Sequence, residues 1–131
     1  MQKILITKDY YNNLTLNEFN PTNFTDLVGA YVAEIESFQG DQQITLNGCE
    51  EFENINGSAT VFRDLLRTTT AETLFTYDDE FFEGLSAITL NKYQGGKVYY
   101  VGCGADENIM DHLANKILKE YLLKGYSINQ R

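Results

Sequence analysis

Few side chains in these 131 residues are of a type that could make or break a bond. His112 is the single histidine, so a Ser/His/Asp or Cys/His arrangement must use it or not exist. It lies between Ile109 and Leu113 at the flank of an apolar helical stripe, the place of a boundary residue rather than a base. Cys49 and Cys103 have no CxxC or CxxH neighbour and read as free, buried thiols; with one histidine they give no zinc-ligand spacing. Carboxylates cluster at Glu50, Glu51 and Glu53 and again at Asp78, Asp79, Glu80 and Glu83. Glycoside hydrolysis needs two carboxyl groups about 5 to 10 Å apart on rigid elements, whereas acidic runs at turns are ordinarily solvated. Asn17-Glu18 matches the acid/base dipeptide of many barrel glycosidases, but that barrel needs ~200 residues or more, so the dipeptide reads as coincidence. The glycines of Gly102-Cys103-Gly104 precede a helix and could cradle an anion. Without a full GxGxxG, close packing of helix on sheet is the better reading. No catalytic, cofactor-binding or metal-binding residue is expected. The aromatics Phe81, Phe82, Tyr93, Tyr99 and Tyr100 remain, as side chains able to stack on a sugar or fill an interface. Alternation across a pleat puts at least one of Tyr99 and Tyr100 in the core.

These residues need a scaffold, and the totals allow one. The length suits one domain over residues 1–131, and 43% hydrophobic content with one proline is far from the composition of disordered chains. The formal charge of -9 repels phosphate backbones and anionic lipid, so neither nucleic acid nor membrane is an expected partner. No window approaches ~18 consecutive apolar residues and MQKILITKDYYNN lacks a signal-peptide core, which points to the cytoplasm.

Along the chain, KILIT (3–7) reads as a buried strand opening into the DYYNN loop. Pro21 and Thr22 lead into a short helix with Phe24, Leu27 and Val28 on one face, ended by Gly29. Tyr31 to Phe38 alternates as a strand. Asn56-Gly57 is the strongest short hairpin signal, since both residues tolerate the positive φ of a type I′ turn. ATVFRDLL (59–66) fits strand or helix. Ala71 to Tyr77 reads as a strand that Asp78 and Asp79 stop. Strands over 87–93 and 97–101 flank Gln94-Gly95-Gly96, a three-residue connection suited to a bulged hairpin. The last element is a helix capped by Asp106, with a stripe of Ile109, Leu113, Ile117 and Tyr121 widened by Met110, Ala114 and Leu118, and closed by Gly125. The pattern is strand-rich, with a C-terminal amphipathic helix that must pack on the sheet.

The run AETLFTYDDEFFEGLSAITLNKYQGGKVYYVGCGAD resembles the second domain of bacterial β-galactosidases of glycoside hydrolase family 42. Tyr77, Phe81, Phe82, Gly84, Asn91, Tyr93, Gly96, Tyr99, Tyr100 and Gly102 carry the likeness. Ser86 stands where the family usually has proline, and Leu85, Leu90 and Gln94 also depart from its pattern. Upstream, NPTNFTDLVGAYVAEIESF and KILIT resemble the preceding segments more loosely, so the likeness runs from about residue 3 to about residue 125. It implies an α/β fold, part of a flavodoxin-like domain of the class I glutamine-amidotransferase type, that builds the contacts of a homotrimer. It also implies that both catalytic glutamates, and any galactoside, belong to a barrel elsewhere in the parent. The expected function is a non-catalytic oligomerisation domain of a β-galactosidase, with itself as partner. A standalone carbohydrate-binding or interaction module is the alternative, and a small hydrolase in its own right a third.

Overall fold

The protein is described here by a computed structural model, covering residues 3–6 and 24–123. The DYYNN loop, Asn17-Glu18, Pro21, Thr22 and Gly125 lie outside the described residues. The elements run β1 (Lys3–Ile6), α1 (Phe24–Val28), β2 (Ala30–Ser37), β3 (Ile44–Gly48), β4 (Asn56–Thr68), β5 (Glu72–Tyr77), β6 (Ser86–Tyr93), β7 (Gly96–Val101), β8 (Cys103–Ala105) and α2 (Glu107–Leu123). Among the described residues eight strands form one sheet in the order β1-β7-β6-β5-β3-β4-β2, with β8 set against β4. Among the described residues every pairing is antiparallel except β1 with β7.

The stretch that fits strand or helix by period is strand, and it organises the sheet. β4 is 13 residues long. Its first part pairs with β3 from Asn47↔Asn56 to Ile44↔Ala59, and its second with β2 from Ser37↔Phe62 to Ala30↔Thr68. Between them the strand is irregular at Val61, whose φ of 72° marks a bulge, so β4 turns as it changes partner. The single pair Leu66↔Ser86 joins β4 to β6, and the pairings β4-β3-β5-β6 therefore close on themselves. Closure leaves fewer open edges for unwanted pairing.

Both faces of the sheet are buried, and adjacent residues show it. Leu65 and Tyr99 belong to the larger core cluster with Leu46, Phe75 and Ile88, while Leu66 and Tyr100 belong to a second cluster with Val28, Ala30 and Val98. Side chains alternate along a strand, so a run such as VYYV is what burial on two faces requires. Ile109 and Leu113 of α2, at 0% and 1% exposure, cover the larger cluster. Each such residue contributes roughly 1.5–3 kcal/mol of burial. The helix stripe is narrower than its sequence suggests: Met110 and Ile117 pack against the cluster, but Leu118 is 52% exposed and Ala114 is also exposed.

Two turns differ from expectation. Asn56-Gly57 is not a turn but the start of β4, opposite Asn47 and Leu46. The chain instead reverses through a 3-10 turn at Glu50–Phe52, held by Ile55 N–H to the Phe52 carbonyl (2.8 Å) and Gly48 N–H to the Ile55 carbonyl (3.0 Å). Gly57 is small for a different reason: a Cβ there would come within 2.5 Å of Ile109 Cδ1 and 2.6 Å of Asp106 Oδ2. The β6–β7 connection has two residues, not three, because Tyr93 pairs directly with Gly96. Gln94 and Gly95, at φ 49° and 81°, form the primed turn that matches strand twist.

Candidate subunit-contact site

The acidic residues after β5 do not simply decorate a loop. Asp79 caps the 3-10 turn Glu80–Phe82: its Oδ1 accepts the Phe81 N–H at 3.0 Å and its Oδ2 accepts Arg63 Nη2 at 3.1 Å. The Phe82 N–H reaches the Asp79 carbonyl, and the Leu85 N–H the Phe82 carbonyl, each at 3.1 Å. Phe82 thereby turns inward and Phe81 outward, leaving Phe81 93% exposed.

Arg63 had no signal in the sequence beyond a charge inside an apolar run. Its guanidinium sits 5.0 Å from the Phe82 ring, 5.1 Å from Tyr77 and 5.7 Å from Phe38. Glu36 Oε1 accepts its Nε at 2.6 Å and lies 2.6 Å from Nη2, the nitrogen that also donates to Asp79 at 3.1 Å. The side chain is only 4% exposed. Nη1 has no hydrogen-bond acceptor among the described residues, and the π faces of the three rings surround the group. A buried ion pair of this kind adds little over a well-packed apolar set, yet losing one partner is costly, so it fixes the geometry of what it touches. What it touches is the Phe81 turn.

The other expected aromatics point inward. Tyr99 and Tyr100 are 0% and 1% exposed, so neither ring offers a surface to a sugar or a neighbouring subunit. Their hydroxyls explain how they can be buried: Tyr99 donates to Glu120 and Tyr100 donates to Asp64 Oδ2 at 2.8 Å. Burial, then these carboxylates, push both phenols well above the usual tyrosine range. Tyr93 is half-buried against the second cluster.

The groups that could do chemistry are committed elsewhere. His112 Nδ1 lies 2.8 Å from the carbonyl oxygen of Asn108, one helical turn back. Cys103 is buried and its thiol is pushed up to about 12, mainly by burial, with Asp64 and Asp106 adding to the effect against a hydrogen bond from Tyr77. Glu51 is paired with Lys116. Glu120 is held by Lys97 at 2.7 Å, Lys116 at 2.9 Å and Tyr99. Among the described residues no group of three or more His, Cys, Asp or Glu side chains could hold a metal ion. Gly102 and Gly104 are packing glycines, but what they pack on is strand rather than the expected helix: β8 lies along β4, and a Cβ on Gly104 would lie 2.2 Å from the Thr60 carbonyl oxygen.

The fold is a sheet whose buried polar side chains are largely tied to one another, with one aromatic turn held out to solvent. A family model described as the β-galactosidase trimerisation domain matches residues 7–124, and the chain belongs to that family. β-Galactosidase BgaA of Clostridium cellulovorans is 33% identical over 121 residues, which are 88% of this chain and 17% of that protein. BgaA of a Planococcus species is 26% identical over 102 residues, 76% of this chain and 15% of its own length. Among solved structures, a β-galactosidase from Bacillus circulans superposes with a TM-score of 0.74 at 21% identity, over 90% of this chain and 18% of that one. One from the haloarchaeon Halorubrum lacusprofundi gives 0.68 at 28% identity, over 89% and 18%. The chain thus spans less than a fifth of the proteins it resembles. No helix of the described residues is long and apolar enough to cross a membrane.

Proposed function

We propose that this trimerisation domain is a non-catalytic part of a homotrimeric β-galactosidase that removes terminal β-galactosides, with bond cleavage done by polypeptide outside these 131 residues. The observation that carries the reading is the family match over residues 7–124. The histidine bonded back to its own helix and the buried Cys103 thiol support it, because neither is set up as a base or nucleophile. The parallel β1–β7 pair beside the antiparallel strands fits one margin of a flavodoxin-like, amidotransferase-type sheet, whose remainder would lie outside the chain. In the assembled enzyme the domain holds subunits together and helps wall a neighbour's sugar site. The cytoplasm is the proposed setting, and the charge of -9 argues against nucleic acid or anionic membrane as partner.

Sedimentation of the purified chain over a range of concentrations tests the assembly role; self-association is expected, and a strict monomer throughout counts against it. One observation favours a second reading. Phe81 is an exposed ring on an anchored backbone, as a stacking platform for a sugar would be. A standalone carbohydrate-binding module would show the Phe81 ring resonances shifting as galactosides are added.

A further inference from the structure

Phe81 exposes 93% of its surface, whereas the other exposed large apolar side chains among the described residues lie between 40% and 52%. The backbone that carries it is anchored, since Asp79 binds the Phe81 N–H with one carboxylate oxygen and Arg63 with the other. An aromatic side chain carries a large apolar area on only two rotatable bonds, so ordering it on an anchored backbone costs little conformational entropy on contact. Asp78, Glu80 and Glu83, all exposed, give it an acidic collar.

The turn joins β5 to β6, so the far ends of these strands lie at the opposite end of one hairpin, about 20 Å away for six residues. There Thr70, Glu72, Leu90, Asn91 and Lys92 line a cleft of ≈ 240 Å³. That is more than the ~150 Å³ known to hold a benzene ring. Leu90 lines the cleft and is 4% exposed; Asn91 is committed to Thr70 and to the Asp26 and Leu27 carbonyls. Glu72 and Lys92 are both exposed at the rim, and Lys92 makes no ion pair among the described residues.

We propose that Phe81 of one copy seats in the cleft beside Lys92 of a second copy, with Glu80 and Glu83 facing that lysine. The inference rests on the assembly reading and names its contact. A closed ring of three needs a heterologous interface, in which two different patches meet head to tail. A knob and a cleft at opposite ends of one hairpin, with an acidic collar meeting an uncommitted cation, meet that requirement.

The test is sedimentation of the 131-residue chain and its variants at matched concentrations, with circular dichroism to verify folding. Phe81→Ser and Lys92→Glu each change an exposed side chain, and each is expected to weaken association about tenfold or more. Glu80→Lys with Glu83→Lys, added to Lys92→Glu, is expected to recover most of that loss. If Phe81→Ser associates as tightly as the parent chain, this contact is overturned while assembly stands. If Phe81→Ser dissociates but Lys92→Glu does not, or the charge exchange fails to recover association, the cleft is the wrong receptor. A parent chain that stays monomeric at every concentration overturns both the contact and the assembly role.

Discussion

Tyr100 donates its phenol proton to Asp64 Oδ2 at 2.8 Å, and neither residue exposes more than 1% of its surface. Strand alternation puts Arg63 and Asp64 on opposite faces of β4, so each of two adjacent charges meets its own polar partner. Tyr100→Phe keeps the ring and removes the donor, which takes a hydrogen bond from a buried carboxylate. The expected loss is about 1.5–3 kcal/mol in urea unfolding. A loss under about 0.5 kcal/mol would show that the bond contributes nothing net.

Gly57→Ala tests the close approach of α2 to β4. The new methyl would meet Ile109 and Asp106, and Asp106 holds two N–H groups at 2.8 Å, those of Ser58 and Ile109. Pushing Asp106 aside removes the helix cap, worth about 1 kcal/mol, in addition to the overpacking cost of about 1–3 kcal/mol. Thermal unfolding should show a clear drop in Tm, with helix signal lost first. An unchanged Tm would mean that α2 has room to shift.

Acid should weaken the anchorage of α2 through Glu120. Burial alone would raise its carboxyl, but hydrogen bonds from Lys97, Tyr99 and Lys116 outweigh that and lower it from 4.5 to about 2. A carboxylate depressed in the folded state stabilises fully above its ordinary pKa, and that stabilisation drains away as pH falls toward the folded value. The window is therefore pH 4.5 down to about 2. Glu120→Gln should be less stable than the parent at pH 6 and lose less on acidification through that window. Parallel stability curves for the two proteins would rule Glu120 out.

The thiols should differ in reactivity. Cys103 is buried, with a pKa near 12, so at pH 8 it should react with a thiol reagent only as fast as the protein unfolds. Cys49 is half-buried, and burial, more than Glu50, raises it against a hydrogen bond from Thr76. It should label first, at a rate insensitive to mild denaturant. Equal labelling rates would contradict this packing.

Most strands were legible because their apolar residues recur at the right period, and α2 because Asp106, an acidic first turn at Glu107 and the Ile109 and Leu113 spacing agree. The misreadings have physical causes. Asn56-Gly57 has the chemistry of a turn, but the same glycine also suits a strand beneath a helix, and tertiary packing decides. Cys103–Ala105 was read as a junction because a three-residue strand has no period to detect. Tyr99 and Tyr100 were candidate surface aromatics, yet their burial depends on Glu120 and Asp64, which lie far away in sequence. For the same reason Arg63 could not be recognised as the clamp of the Phe81 turn: Glu36 and Asp79 reach it only after β2 and β5 are in place. Phe81 itself was legible as an aromatic next to acids, but not as the ring that stays outside.

The β6–β7 turn offers a prediction in the stabilising direction. Gln94 holds φ at 49° and Gly95 at 81°, the pair of positive angles that a type I′ turn demands. Glycine adopts its angle without penalty, but glutamine has a Cβ close to the backbone and no short side chain to hydrogen-bond locally, so the left-handed conformation costs it roughly 1 kcal/mol. Asparagine tolerates that region far better, and Asn-Gly is the favoured pair for this turn. Gln94→Asn leaves the Tyr93↔Gly96 register untouched and should raise stability by a few tenths to about 1 kcal/mol, read as a higher urea midpoint at an unchanged slope. A lower midpoint would mean that the connection is not a two-residue primed turn.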